Sequence, residues 1–154
     1  MSENLNLYDS FLANTDVSRL QKILVRHALF QMSLDVPGDI VECGVYKGSG
    51  IYTWAKLMRI FKPNNEFNIV GFDFFGTNRK ITLRHPEDKE CLDEHEQNWA
   101  PAKEIRANCE RWGFTNIDLI EGNVVDTSKL YVDQHLGMRI SLLYIDIDNY
   151  EGAL

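Results

Sequence analysis

The run Gly38-Asp39-Ile40-Val41-Glu42-Cys43-Gly44-Val45-Tyr46-Lys47-Gly48-Ser49-Gly50 leaves this chain few folds to choose from. It reads as a short buried strand ending in an acidic residue, then a glycine-punctuated turn, then the start of a helix. A strand that hands over to a helix in this way presents backbone N–H groups at the helix's positive end. Nucleotide-like ligands bind there in open α/β sheets. The spacing Glu42-x-Gly44-x-x-x-Gly48-x-Gly50 fits an adenosylmethionine pocket better than a dinucleotide one. The dinucleotide fingerprint needs Gly-x-Gly-x-x-Gly, and Tyr46 stands where that pattern wants its second glycine.

The rest of the sequence alternates helix and strand. Residues 15–34 have helical periodicity: Thr15 or Asp16 can cap the helix, Val17, Leu20, Leu24 and Ala28 form an apolar stripe, and Ile23 and Phe30 flank it. Val36-Pro37-Gly38 ends it. Residues 40–43 are the first strand. Ile51, Trp54, Ala55, Met58 and Phe61 recur at helical spacing, and residues 67–72 form a second strand ending at Asp73. Residues 74–98 are polar and long for a connection, the usual form of a lid, a binding loop or a disordered segment. A helix starting near Trp99 or Pro101 buries Ala102, Ile105, Cys109 and Trp112 and stops at Gly113. Residues 116–120 form a third strand, residues 127–135 a weaker helix that Asp126 can cap, and residues 140–148 a fourth strand. Trp54, Met58, Trp99 and Trp112 read as core. Such alternation implies an α/β fold, a parallel sheet with helices on both faces, with ligands beyond the C-terminal strand ends. Glu42, Asp73, Asn123, Asp146 and Asp148 stand at those ends. The expected division is an N-terminal helical cap (residues 1–35) and a binding domain (residues 36–154).

Composition narrows the partners. A formal net charge of −7 argues against nucleic acid, whose phosphates need a basic surface. No apolar run is long enough to cross a membrane, and the N-terminus lacks the pattern of a secretory signal. Cys43, Cys91 and Cys109 are scattered without metal-ligand or disulfide spacing, so they read as reduced thiols of a cytoplasmic protein.

Three segments resemble the macrocin O-methyltransferase (TylF-like) family. Residues 38–48 resemble its first motif. Gly71-Phe72-Asp73-Phe74-Phe75-Gly76 resembles its second-strand motif, and Tyr144-Ile145-Asp146-Ile147-Asp148-Asn149-Tyr150-Glu151 its fourth-strand motif. The resemblance implies a Rossmann-like methyltransferase fold and S-adenosylmethionine-dependent methylation of a hydroxyl on a small molecule, often a sugar, in several members with magnesium. By position, Glu42, Gly44, Tyr46, Gly48 and Ser49 would surround the methionine part of the cofactor, Asp73 would accept hydrogen bonds from the ribose hydroxyls, and Phe74 would cover the adenine. Gly122, Asn123 and Asp126 would edge that base. Phe74 is equally placed to be core.

Methyl transfer to an alcohol needs the acceptor in line with the departing sulfur and help in losing its proton. Asp146 is the candidate central carboxylate, as general base, metal ligand or both. If the strand stays extended, Asp148 points the same way, and the two carboxylates suit a hard cation such as Mg2+. Enzymes of the family continue past the fourth strand, where a later acidic pair completes the metal site. The resemblance therefore implies a C-terminal part missing here, with a fourth strand left as an open edge. Two other readings stand beside it. One is a non-catalytic module holding a nucleoside, or a partner across the open edge. The other is an NAD or nucleotide-sugar enzyme, which Tyr46 disfavours. A homo-oligomer is left open, and the acceptor is not legible.

Overall fold

The computed structural model describes residues 2–64, 66–76 and 99–147, with side chains from Asn6 onward. Two helices come first, α1 (Ser2–Asn14) and α2 (Val17–Met32). The sheet region follows as β1 (Asp39–Cys43), α3 (Ser49–Phe61), β2 (Ile69–Asp73), α4 (Ala102–Arg111), β3 (Ile117–Glu121), α5 (Val124–Gln134) and β4 (Ile140–Ile145). All pairings are parallel, in the order β3-β2-β1-β4. This is the expected α/β architecture, a Rossmann-like methyltransferase fold with helices on both faces of the sheet.

Strand alternation divides the core. On one face, Ile40, Ile69, Leu119 and Leu142 pack against Ile51, Trp54, Ala55 and Met58 of α3 and Ile105 and Cys109 of α4. On the other, Val41, Cys43, Val70 and Phe72 pack against Tyr131 of α5. Trp54, Ile51, Ile69 and Ile105 are fully buried, each stabilising the fold by about 1.5–3 kcal/mol. Burial also pushes the Cys43 and Cys109 thiols up to about 11, so neither is poised to react. Cys91 lies outside the described residues, as does the connection at 77–98.

Several boundaries differ from the sequence reading, for local reasons. Residues 2–14, read as a polar start, form α1. α2 is shorter than 15–34, because the Asp16 side chain accepts from Ser18 N and fixes its start. Its apolar stripe is not buried: residues 17–25 are exposed on every side of the helix, Val17, Leu20, Ile23 and Leu24 among them, and the buried residues are Arg26 and Phe30. β2 begins at Ile69 rather than 67. The Asp39 carboxylate accepts from Asn68 N, and the Asn116 amide donates to Phe67 O, so side chains take backbone groups that the ladder would have used. Trp112 is 48% exposed instead of buried. It sits at the end of α4, where Arg59 donates to the carbonyls of Trp112 and Gly113 and lies over the Phe114 ring.

α5 starts at Val124, before the expected 127, because the cap is Asn123, whose side chain accepts from Val125 N; Asp126 lies in the first turn, exposed. Asn123→Ala is expected to lower stability by about 1 kcal/mol in a urea melt. A loss of nucleoside affinity beyond that change would give Asn123 a contact with the base as well.

β4 lies at the edge of the described sheet and ends at Ile145. Leu143 and Ile145 are about half exposed on the face opposite α3. The expected continuation to 148 falls partly outside the described residues.

Candidate active site at the C-terminal rim

Strand register brings the loops to one rim. Cys43 is level with Phe72 and with Ile145, and Asp73 is level with Glu121. Each ladder then extends by one bond: Gly44 N donates to Phe72 O, Asp146 N to Cys43 O, and Gly122 N to Asp73 O. The first residues of three strand-end loops thus lie side by side.

The loop from β1 to α3 is held in an unusual backbone path. Gly44, Tyr46 and Gly48 all have positive φ, at 95°, 54° and 84°. For tyrosine that region is strained, and such strain persists only where the surroundings enforce it. Here Asp73 enforces it: its Oδ2 accepts from both Val45 N and Tyr46 N at 2.7 Å, and its Oδ1 accepts from Phe75 N at 3.3 Å. The residue expected to meet ribose therefore already shapes the loop, with acceptor capacity left on Oδ1. The Tyr46 ring meets Trp99 edge-on at 6.4 Å, and Tyr46 O accepts from Ala100 N, so the chain entering α4 walls the same crevice. Ser49 is exposed in the first turn of α3. Phe74 is half-buried, and its neighbour Phe75 is the one that enters the core.

Gly44 brings the fourth strand into the site. A Cβ there would collide with the carbonyl of Asp146, so the two backbones are in contact. Asp146 is exposed at this point. Asp148 lies outside the described residues, and among those described no three His, Cys, Asp or Glu side chains are grouped as a metal would require. Gly122 also has positive φ, with Thr127 against it.

Under the loop is a buried polar cluster that the sequence reading missed. Glu42 is 1% exposed, between Gly71 and Tyr144 on the neighbouring strands. Its carboxylate lies against Gly50 so closely that any side chain there would collide with it. Arg26 of α2 reaches it, with Nη2 at 3.6 Å from Oε1. The guanidinium also lies 5.2 Å from the Tyr144 ring and 6.0 Å from the Trp54 ring. Burial pushes Glu42 up to about 8; the Arg26 charge pulls against this, and the charges of Asp146 and Asp73 add to it. The same burial, with Asp146 next, raises Tyr144. Trp54 Nε1 lies near enough to favour the Glu42 carboxylate without reaching hydrogen-bond geometry, so Arg26 Nε, Glu42 Oε2 and Trp54 Nε1 are buried without partners. One signal did point here: an acid inside a buried strand demands a cation. Nothing local in the sequence says which.

The cavity of about 500 Å³ bounded by Leu34, Pro37, Lys62, Pro63 and Phe67 lies before the strands, at the opposite rim. Ligands of this fold class bind at the other end, so it is not the candidate site.

Neither a protein-family model nor a curated protein matches the chain. Solved structures do. A structure of CalS11, a calicheamicin methyltransferase, matches with TM-score 0.75 and 28% identity, over 97% of this chain and 62% of that one. An apo structure of CalS11, described as a TDP-rhamnose 3'-O-methyltransferase of calicheamicin biosynthesis, gives TM-score 0.69 and 29% identity, over 95% and 59%. The O-methyltransferase NovP gives 0.62 and 20% over 82% and 55%, a likeness of fold alone. The chain spans about three fifths of the length of the CalS11 chains it matches.

Proposed function

We propose that this chain carries the cofactor-binding half of an S-adenosylmethionine-dependent O-methyltransferase, TylF-like in kind, that acts on a hydroxyl of a small molecule such as a sugar. The observation that carries the reading is the strained β1–α3 loop, braced by Asp73 at the rim where the fold class binds ligands. The likeness to sugar O-methyltransferase structures supports the same reading.

The residues present fit such a cofactor. The loop exposes backbone at positive φ, and buried polar atoms without partners lie beneath it. When bound, the cofactor supplies a methyl group activated on a sulfonium. Glu42, Gly44, Tyr46, Gly48 and Ser49 would hold its amino-acid end, and the N–H groups of the first turn of α3 would suit its carboxylate. Asp73 offers Oδ1 to the ribose while Oδ2 keeps the loop in shape. Phe74, Gly122, Asn123 and Asp126 border the base. Asp146 takes the acceptor's proton, directly or beside a hard cation. Mg2+ at Asp146 and Asp148 belongs to this proposal on the chemistry of two carboxylates. So does a cytoplasmic setting, on the reduced cysteines. Among the described residues no helix is long and apolar enough to cross a membrane.

Calorimetry with adenosylhomocysteine, adenosylmethionine and NAD tests the reading. Binding of the first two and not of NAD is expected. Asp73→Ala leaves Val45 N and Tyr46 N without their acceptor and is expected to weaken adenosylhomocysteine by about tenfold to a hundredfold. Absence of any nucleoside binding favours the partner-binding module instead. Methyl transfer indifferent to EDTA removes the metal.

A further inference from the structure

The buried residues of α2 are Arg26 and Phe30, one helical turn apart, and they do different things. Phe30 belongs to the apolar core that also holds Trp54 and Met58, which is reason enough for its burial. Arg26 ends instead at an acid, with Nη2 3.6 Å from Glu42 Oε1. Packed apolar residues commonly replace such a buried pair at no cost, so stability alone does not account for it. The place that the pair reaches offers another reason.

The Glu42 carboxyl group lies beneath the first turn of α3. A Cβ added at Gly50 would collide with both of its oxygens, so where the turn sits depends on where the carboxyl group is held. Trp54 Nε1, one turn further along α3, lies near the same group without bonding to it. That first turn carries no acidic residue, and its N-cap is Gly48, which has no side chain to cap it. Glu42 Oε2 has no hydrogen-bond partner, and the printed contact to Oε1 from a cation is that of Arg26. The guanidinium is kept in place by the Tyr144 ring at 5.2 Å.

We propose that Arg26 is a positioning residue for the amino-acid end of the cofactor. By holding the Glu42 carboxyl group against Gly50, it fixes the turn whose N–H groups would suit the cofactor's carboxylate. The inference rests on the methyltransferase reading and adds to the site a residue of the N-terminal helices, away from the strand ends.

Calorimetry of the 154-residue chain with adenosylhomocysteine and with methylthioadenosine, which lacks the amino-acid end, tests it. The parent is expected to bind both. Arg26→Met should weaken adenosylhomocysteine by about tenfold and methylthioadenosine by less than about twofold. Arg26→Lys, which puts a cation back, should recover most of that loss. Phe30→Ala disturbs α2 at its other buried position and should weaken both ligands by the same factor. Circular dichroism establishes that each variant is folded; if Arg26→Met is not, Arg26→Gln, whose side chain is too short to grip the acid, should show the same split between the ligands. Equal losses of both ligands on removing Arg26, no loss of either, or an equal split in Phe30→Ala overturns the proposal and leaves the methyltransferase reading standing. A parent that binds neither nucleoside overturns both.

Discussion

Gly44→Ala is expected to cost on the order of 3–5 kcal/mol of folding stability and to abolish nucleoside binding. Two penalties combine. The backbone at φ 95° strains any L side chain, and the new Cβ meets the Asp146 carbonyl, which has little room to move. Asp146 N is itself bonded to Cys43 O, so relief means parting β4 from β1. Gly137 supplies the control. Its φ is 96° but nothing lies within 4 Å of its Cβ position, so Gly137→Ala shows the strain alone, about 1–2 kcal/mol. The two variants are compared by urea melts at matched pH. Equal losses would mean that the contact with Asp146 contributes nothing, and the link between the first and fourth strand ends would have to be given up.

The contrast between Gly44 and Arg26 shows what a sequence of this kind discloses. The β1–α3 turn was legible because its cause is local. Positive φ selects glycine, and strand ends fix where the loop leaves. The parallel sheet followed from alternation, and Trp54 and Met58 from helical spacing. Burial set by distant partners was not legible. Periodicity assigned α2 a core face from its apolar stripe, yet residues 17–25 are exposed throughout, and the helix is buried only at Arg26, which reaches Glu42 on the sheet, and at Phe30. Trp112 fits a helical face by spacing but caps the end of α4 with its side chain half exposed, its carbonyl taken by Arg59, more than fifty residues earlier in the chain. The cap of α5 is a nearer miss. Asn123 and Asp126 are both good capping residues, and only the observed bond to Val125 N decides between them. Asp73 was expected to meet a ribose, and its bonds to the backbone amides of the loop are a role that position alone did not suggest.

Removing Arg26 should change how stability depends on pH above about 8. Glu42 titrates at 4.5 in the open chain and about 8 in the folded one, chiefly because it is buried. The folded state thus holds the proton more tightly. Its contribution is complete below about pH 4.5, declines at about 1.4 kcal/mol per pH unit, and is gone above about 8. Arg26 sets the upper end of that window by stabilising the carboxylate, and the Trp54 and Tyr144 rings help the guanidinium tolerate burial where the carboxyl is neutral. In Arg26→Met the carboxylate loses its only cationic neighbour among the described residues. The decline then continues past 8, and by about pH 9 the variant should trail the parent by about 1.4 kcal/mol more than it does near pH 6. Glu42→Gln has no proton to lose, so it should be nearly neutral near pH 6 and relatively more stable near pH 9. The double variant should differ from Glu42→Gln by the same amount at both pH values. Urea melts of the four chains at both pH values read this directly. If Arg26→Met runs parallel to the parent above pH 8, the guanidinium does not govern Glu42.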